Sequence, residues 1–187
     1  MDTGDQSDFV IDADNEFALQ RCACWFAEIC QRGDLFFLSG DLGVGKTTLA
    51  RAFVQALADP DTVVPSPSFT LVQPYDTLKG ALLHVDLYRI TQPDEVYELG
   101  LTDNQADHQI GDQTEPIMLV EWPEIGSHVL RRPDFIVAIS QIGTSERRRL
   151  RITAKTPARL EPLAALHARE TRLVTFLANA GWPGEKA

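Results

Sequence analysis

Long apolar runs are missing from this chain. No stretch approaches the ~18 uninterrupted apolar residues of a bilayer span, and the opening "MDTGDQSD" is acidic, without the hydrophobic region that heads a secretory signal. A soluble protein of the cytoplasm, with no membrane contact, is therefore expected. Cysteine is scarce: Cys22, Cys24 and Cys30 all lie in "NEFALQRCACWFAEICQRG", which reads as one helix. Residues two apart on a helix point to nearly opposite sides, so the trio is excluded as a shared metal site and is expected to serve as small buried apolar residues. Such usage fits a reducing compartment. Basic residues are outnumbered, 17 Lys and Arg against 27 Asp and Glu, for a formal net charge of −10. An acidic chain has no general field to attract nucleic acid, which leaves only a local patch or a partner to hold it. Internal repeats and low-complexity tracts are also absent, and 187 residues suffice for one domain with a sizeable core but not for two ordinary ones.

What is present is a concentration of glycine. In "GDLGVGKTT", Gly40 to Thr48, Gly40, Gly45, Lys46 and Thr47 fit G-x-x-x-x-G-K-[ST], and Gly43 adds a third position without a Cβ. Glycines permit positive φ and close approach, so successive N–H groups along Gly40, Asp41, Leu42, Gly43, Val44 and Gly45 can curl around phosphate oxygens. Lys46 then reaches the β- and γ-phosphates, the Thr47 hydroxyl binds Mg²⁺, and Thr48 completes the loop. The flanks agree. "LFFLS" (Leu35 to Ser39) is a short apolar strand, and "TTLARAFVQALA" sets Leu49, Ala52, Phe53 and Ala56 at helical spacing. The positive end of that helix faces the phosphates.

Along the rest of the chain, "DFVI" (Asp8 to Ile11) reads as a first strand, with Asp14 or Asn15 capping a helix whose apolar residues Phe17, Leu19, Trp25, Phe26 and Ile29 pack on the sheet. "ADPDTVVPSPSFTLVQPY" is a proline-rich loop holding a short strand, Phe69 to Val72. "ALLHVDLYRI" (Ala81 to Ile90) alternates Leu83, Val85 and Leu87 against His84, Asp86 and Tyr88, a strand buried more heavily on one face. "TQPDEVYELGLTD" has a capping threonine, an acidic first turn and a glycine stop, a short helix ending near Leu99. "PIMLVEW" (Pro116 to Trp122) suits a central strand, and "DFIVAIS" and "RRLRITA" read as two more, joined by a turn at Gly143 to Glu146. Leu160, Leu163, Leu166, Leu173, Phe176 and Leu177 describe a closing amphipathic helix or two. The division expected is a domain over 1–156 and a helical extension over 157–187 packed on it.

Magnesium beside a triphosphate is held by a hydroxyl and by carboxylates, directly or through water. Two carboxylates end apolar strands: Asp86 after "LLHV" and Glu121 after "IMLV". Glu121 is the better match to the acidic residue that closes the second strand of such sites, and both are candidates for catalysis and metal, with Lys46 as the catalytic cation. The "SPSFT" hydroxyls, Ser66, Ser68 and Thr70, either sense the γ-phosphate by ordering around it or belong to a proline-stiffened turn.

"GDLGVGKTTLAR", "SPSFTLV", "HVDLYR", "ELGLTD" and "LVEWPE", in this order and at this spacing, resemble the TsaE family (formerly YjeE), from about Phe17 to Ile152. The resemblance implies an α/β P-loop fold, a three-layer sandwich with a mixed central sheet flanked by helices, that binds ATP and Mg²⁺. It implies an ATPase acting with TsaB- and TsaD-like partners, which transfer a threonylcarbamoyl group to adenosine 37 of tRNAs reading ANN codons; the tRNA is met through those partners. Carried over by motif, Gly43 to Thr48 hold phosphate, Thr47 and Glu121 serve the metal, Asp86 assists in the metal shell or orients water, and Ser68 and Thr70 belong to the switch-like loop. Trp122 follows Glu121 in the pattern, with core packing and a ligand contact both open. Ser68 stands where threonine is usual, Ala23 replaces a common glycine, and the helix beyond about Pro157 inherits nothing.

Three rival readings remain. A small-molecule kinase would use the same loop with a clamp of arginines, for which the run Arg147 to Arg149 with Arg151 is the sole candidate. On a strand those residues alternate faces, which favours a solvated edge. A GTP switch lacks its N-K-x-D; "NQAD" at Asn104 has no lysine. The third is a nucleotide-binding module that does not hydrolyse.

Overall fold

The computed structural model describes residues 8–101 and 115–179, the side chains of 173–179 excepted. The end of "ELGLTD", the "NQAD" stretch and the side chains of Leu173, Phe176 and Leu177 lie outside the described residues.

Strand β2 (Leu35–Ser39) is apolar on both faces because both faces are covered. Phe36 and Leu38 point to one side, and Leu35 and Phe37 to the other, as period two demands. Beside β2 run β5 (Ile117–Glu121) and β6 (Phe135–Gln141), both parallel to it, and β4 (Gly80–Asp86) lies parallel to β5. Antiparallel strands finish the sheet: β3 (Val72–Thr77) outside β4, then β7 (Arg148–Ala154) and β1 (Asp8–Ala13) outside β6. The order β1-β7-β6-β2-β5-β4-β3 is a mixed, seven-stranded sheet.

Helices α1 (Glu16–Ile29), α2 (Lys46–Leu57) and α4 (Glu161–Asn179) lie on the Phe36 side. Phe36 meets Phe26 of α1, Phe53 of α2 and Phe135 of β6 at ring centroid distances of 6.1, 5.2 and 4.7 Å. Helix α3 (Pro93–Glu98) and the turns from Trp122 to Leu130 cover the other side, where Val96 and Leu130 pack on Phe37 and Val120. The result is an α/β three-layer sandwich with a mixed sheet.

Several local expectations are corrected. Asn15 caps α1, its side chain accepting from the Ala18 N–H at 2.9 Å, but the buried stripe runs Leu19, Cys22, Ala23, Phe26, Ala27. Phe17 falls opposite that stripe and is 63 % exposed. Cys22 and Cys30 are buried as expected, and burial pushes their thiols up to about 12 and about 11. Cys24 faces solvent on the other side. On α2 the buried stripe is Leu49, Ala50, Phe53, Val54 and Leu57; Leu49 and Phe53 fall on it as expected, while Ala52 is half-buried and Ala56 is exposed.

No strand spans Phe69 to Val72; β3 starts at Val72 and carries Pro74 opposite Leu83. A proline is tolerated there because β3 is outermost and forfeits no interior ladder bond. Strand β4 stops at Asp86, and Leu87 to Ile90 form a turn closed by the Ile90 N–H on the Leu87 carbonyl. Its burial is two-sided, with Leu82 and His84 as buried as Val85, because helices cover both faces. Gln92, not Thr91, caps α3 in a reciprocal box with Glu95.

Candidate nucleotide site

The site lies at the carboxyl ends of β2, β4 and β5, where open α/β sheets hold their ligands. After Ser39 the chain enters the glycine loop, and two glycines there are required, Gly40 by space and Gly45 by its left-handed backbone. At Gly40 (φ +132°) a Cβ would stand 2.1 Å from the Ile139 carbonyl oxygen, and at Gly45 (φ +113°) it would stand 2.6 Å from Leu19 Cδ2. Gly45 is also the N-cap of α2, with no side chain bonding the first-turn N–H groups, so those donors face the loop's interior.

Lys46 is only 4 % exposed. Its Nζ donates to the Gly40 and Asp41 carbonyls at 2.7 and 2.8 Å and sits 3.5 Å from the centroid of the Trp122 ring. Burial lowers the ammonium from its ordinary value, while the charges of Glu121, Glu124, Asp86 and Asp41 hold it up. Trp122 reaches this place through a left-handed backbone, φ +55°, which is costly for a bulky residue and turns the chain sharply after β5.

Asp86 and Glu121 close adjacent parallel strands and stand side by side in register. Glu121 Oε2 accepts from the Thr47 hydroxyl at 2.8 Å, and Oε1 lies 2.8 Å from His84 Nε2. His84 is wholly buried and its Nδ1 has no partner among the described residues. Asp86 accepts from the Tyr88 N–H at 2.9 Å, with the Ser66 hydroxyl at 3.5 Å. Burial raises its carboxyl; the Tyr88 N–H works against that, Glu121 adds to it, and His84 and Ser66 oppose it. Neither carboxylate has an Arg or Lys ion pair among the described residues.

A cavity of about 400 Å³ opens between these groups. Of the sequence-predicted residues it gathers Leu42, Gly43, Gly45, Lys46, Thr47, Thr48, Ser68, Asp86 and Glu121 in its wall. Gly40 and Asp41 stand behind it as acceptors for Lys46. The Val44 side chain is buried in the α1–α2 core, and Thr70 is exposed outside the cavity. Sequence reading passed over two wall residues, Tyr88 and Arg89, and the role of His84. Period two was the available signal for His84, since on a strand it shares a face with Asp86.

The arginine run is engaged elsewhere. Arg149 and Arg151 pair with Asp12 and Asp8 of β1, Arg147 pairs with Asp14 just after it, and Arg148 Nε donates to the Val44 carbonyl at 3.0 Å. Three are an exposed ladder, as the alternation suggested, and the fourth braces the loop from behind.

The family model described as Threonylcarbamoyl adenosine biosynthesis protein TsaE matches residues 13–150. The tRNA threonylcarbamoyladenosine biosynthesis protein TsaE of Rickettsia felis is 32% identical over 71% of this chain and 73% of its own length. The protein of the same name from Haemophilus influenzae is 35% identical over 67% and 77%, and that of Bacillus subtilis 34% over 65% and 70%. Among solved structures, Bacillus subtilis YdiB superposes with a TM-score of 0.66 at 23% identity, covering 88% of this chain and 97% of that one.

Proposed function

This chain belongs to the TsaE family, and from that premise we propose that it serves threonylcarbamoyladenosine biosynthesis on tRNA as a magnesium-dependent ATPase. ATP is taken up on the loop from Gly40 to Thr48 and hydrolysed slowly. Turnover supports threonylcarbamoyl transfer by TsaB- and TsaD-like partners in the cytoplasm, and the tRNA is met through them. The helical extension expected over 157–187 belongs to the same domain; Leu160 and Leu163, buried with the α1 and α2 residues, support this for its described part.

The donor set fits its cargo. Gly43 lines the cavity, and a side-chain carbon there would meet nothing within 4 Å, which leaves room beside the loop for a bulky anion. Thr47 spends its proton on Glu121 and keeps its oxygen lone pairs for a cation. Bound magnesium would neutralise phosphate charge there. Thr47, Asp86 and Glu121 would hold it, Asp86 and Glu121 directly or through water. Lys46 and the first-turn amides of α2 bind the phosphates. Glu121 is kept in one orientation by His84 and Thr47, and Trp122 shields Lys46 from water.

One observation carries this reading above the others: an uncapped helix N-terminus, a hydroxyl and two carboxylates without arginine partners converge on one cavity. The kinase alternative loses its candidate clamp, since the arginine run is bonded to β1 and to Val44.

The test is reconstitution of modified tRNA with TsaB- and TsaD-like proteins, with and without this chain, together with calorimetry of ATP–Mg²⁺ binding. Product formation depends on the chain, and Lys46→Ala abolishes both that dependence and ATP binding. Glu121→Ala lowers turnover more than affinity. Product formed equally well without the chain, or equal losses of turnover and affinity in Glu121→Ala, would reject the corresponding part. Binding without hydrolysis would select the non-hydrolysing module.

A further inference from the structure

Two cationic side chains stand in the cavity wall, and only one of them has a defined task. Lys46 is held by two carbonyls and an aromatic face. Arg89 is exposed, with no hydrogen bond or ion pair among the described residues. Its guanidinium lies 4.1 Å from the centroid of the Phe69 ring, and Phe69, 80 % exposed, belongs to the "SPSFT" loop.

The backbone beneath Arg89 is fixed to the strand ends that carry the carboxylates. The Leu87 N–H donates to the Glu121 carbonyl at 3.1 Å, the Tyr88 N–H to Asp86 Oδ1 at 2.9 Å, and the Ile90 N–H to the Leu87 carbonyl at 3.0 Å. A rigid turn thus carries a loosely held side chain. Two buried carboxylates are close by, yet the guanidinium pairs with neither and rests at the cavity's edge. An exposed contact between cation and ring is weak, so an anion in the cavity can draw the guanidinium away.

We infer that Arg89 is a catalytic residue, an arginine supplied by the chain itself that meets the transferring phosphoryl group; this rests on the ATPase reading above. In the reaction, the oxygen of water bonds to the γ-phosphorus while the bond to the β–γ bridging oxygen breaks. ADP leaves with that electron pair, and the proton of water passes to the phosphate product or to solvent. Negative charge gathers on the transferring oxygens, and the five donors of Arg89 meet it in a planar fork. Phe69 couples this to the "SPSFT" loop, because Arg89 leaving the ring removes one of that loop's contacts with the site.

The test compares Arg89→Gln and Arg89→Lys with the parent, alone and with the TsaB- and TsaD-like partners. Turnover, ATP–Mg²⁺ affinity, melting temperature, and affinity for ADP–Mg²⁺ with and without fluoroaluminate are measured; fluoroaluminate mimics the group in flight. Arg89→Gln is expected to lower kcat about 100-fold or more and to abolish the gain in affinity that fluoroaluminate brings, with ATP affinity changing less than about threefold. Arg89→Lys, which keeps the charge and loses the fork, falls between. Retained kcat and retained fluoroaluminate gain in Arg89→Gln overturn the inference and leave the ATPase reading intact, as does loss of partner binding alone. A parent that neither binds nor hydrolyses ATP–Mg²⁺ under any of these conditions overturns both.

Discussion

The two ends of the central sheet both bury carboxylates, and they treat them differently. At the amino ends of β2 and β6, Asp34 accepts from the Gln31 N–H at 2.7 Å and from Arg159. Asp134 accepts from the Leu35 N–H at 3.0 Å and from Arg131 at 2.9 Å, with Lys155 at 3.5 Å. Arg131 also reaches the Gly33 carbonyl, and Arg159 packs over Phe135. Each charge at that end is answered from within the fold. At the carboxyl ends of β4 and β5, Asp86 and Glu121 have hydroxyls, an imidazole and one amide. Their nearest lysine is bonded to carbonyls. A fold that neutralises its acids at one end and leaves them unneutralised at the other marks the second as the place where charge arrives from outside.

Breaking the amino-end network should therefore have the largest effect on stability. Asp134→Ala strands Arg131 and the Leu35 amide in a site where the aspartate is only 17 % exposed. We expect a loss of about 2–4 kcal/mol, a fall in melting temperature of roughly 5–15 °C for a chain of this size. The pH dependence carries the same signature. Burial pushes Asp134 up, but the Leu35 amide, Arg131 and Lys155 outweigh it and hold its carboxyl below the ordinary 3.8. Its contribution is thus fully present above about pH 3.8 and is lost as the pH falls below that. Acid unfolding followed by circular dichroism should show a steeper loss in the parent than in Asp134→Asn; parallel curves would refute the assignment.

For Asp86 the sign is the reverse of that for Asp134; Asp34, although paired with Arg159, is also raised by burial. Burial raises the Asp86 carboxyl and its neighbours do not offset this, so its ionised form costs the fold stability above the folded value, a cost relieved as the pH falls toward 3.8. Asp86→Asn keeps an oxygen for the Tyr88 amide and removes the charge. It is expected to raise the melting temperature by roughly 2–4 °C, about 1 kcal/mol, while turnover with the partners falls at least about tenfold. A destabilised Asp86→Asn would place Asp86 with Asp134 as a structural acid and erase the contrast between the two ends.

How far the sequence reveals this contrast depends on how local each feature is. The phosphate loop is contiguous, and each half of its pattern has a steric or chemical cause. An apolar run ending in a carboxylate likewise places Asp86 and Glu121 at strand ends. Their neighbourhood in register, and the hold of His84 on a glutamate 37 residues away, exist only once β4 and β5 pair. Arg89 closes the "HVDLYR" motif but gains its meaning from the cavity it borders. "VQPYDT" hides an edge strand, because proline and polar residues carry no penalty where one side of the ladder is open. Phe17 misleads because a large apolar residue at a helix start need not fall on the buried stripe.

The edge formed by β1 and β7 supplies the comparison's lower bound. There Arg149 grips both oxygens of Asp12 at 2.7 Å, and Arg147 and Arg151 pair with Asp14 and Asp8, yet these side chains stand largely in water. Geometry at least as good as that of Arg131 on Asp134 is thus found where solvent screens it and no partner is left desolvated when it is lost. Asp12→Asn should move the melting temperature by under about 1 °C, with no change in ATP affinity. A shift as large as that of Asp134→Ala would mean that ion pairing itself, rather than the burial of what it satisfies, sets the stability of this sheet. The distinction between its two ends would then lose its physical basis.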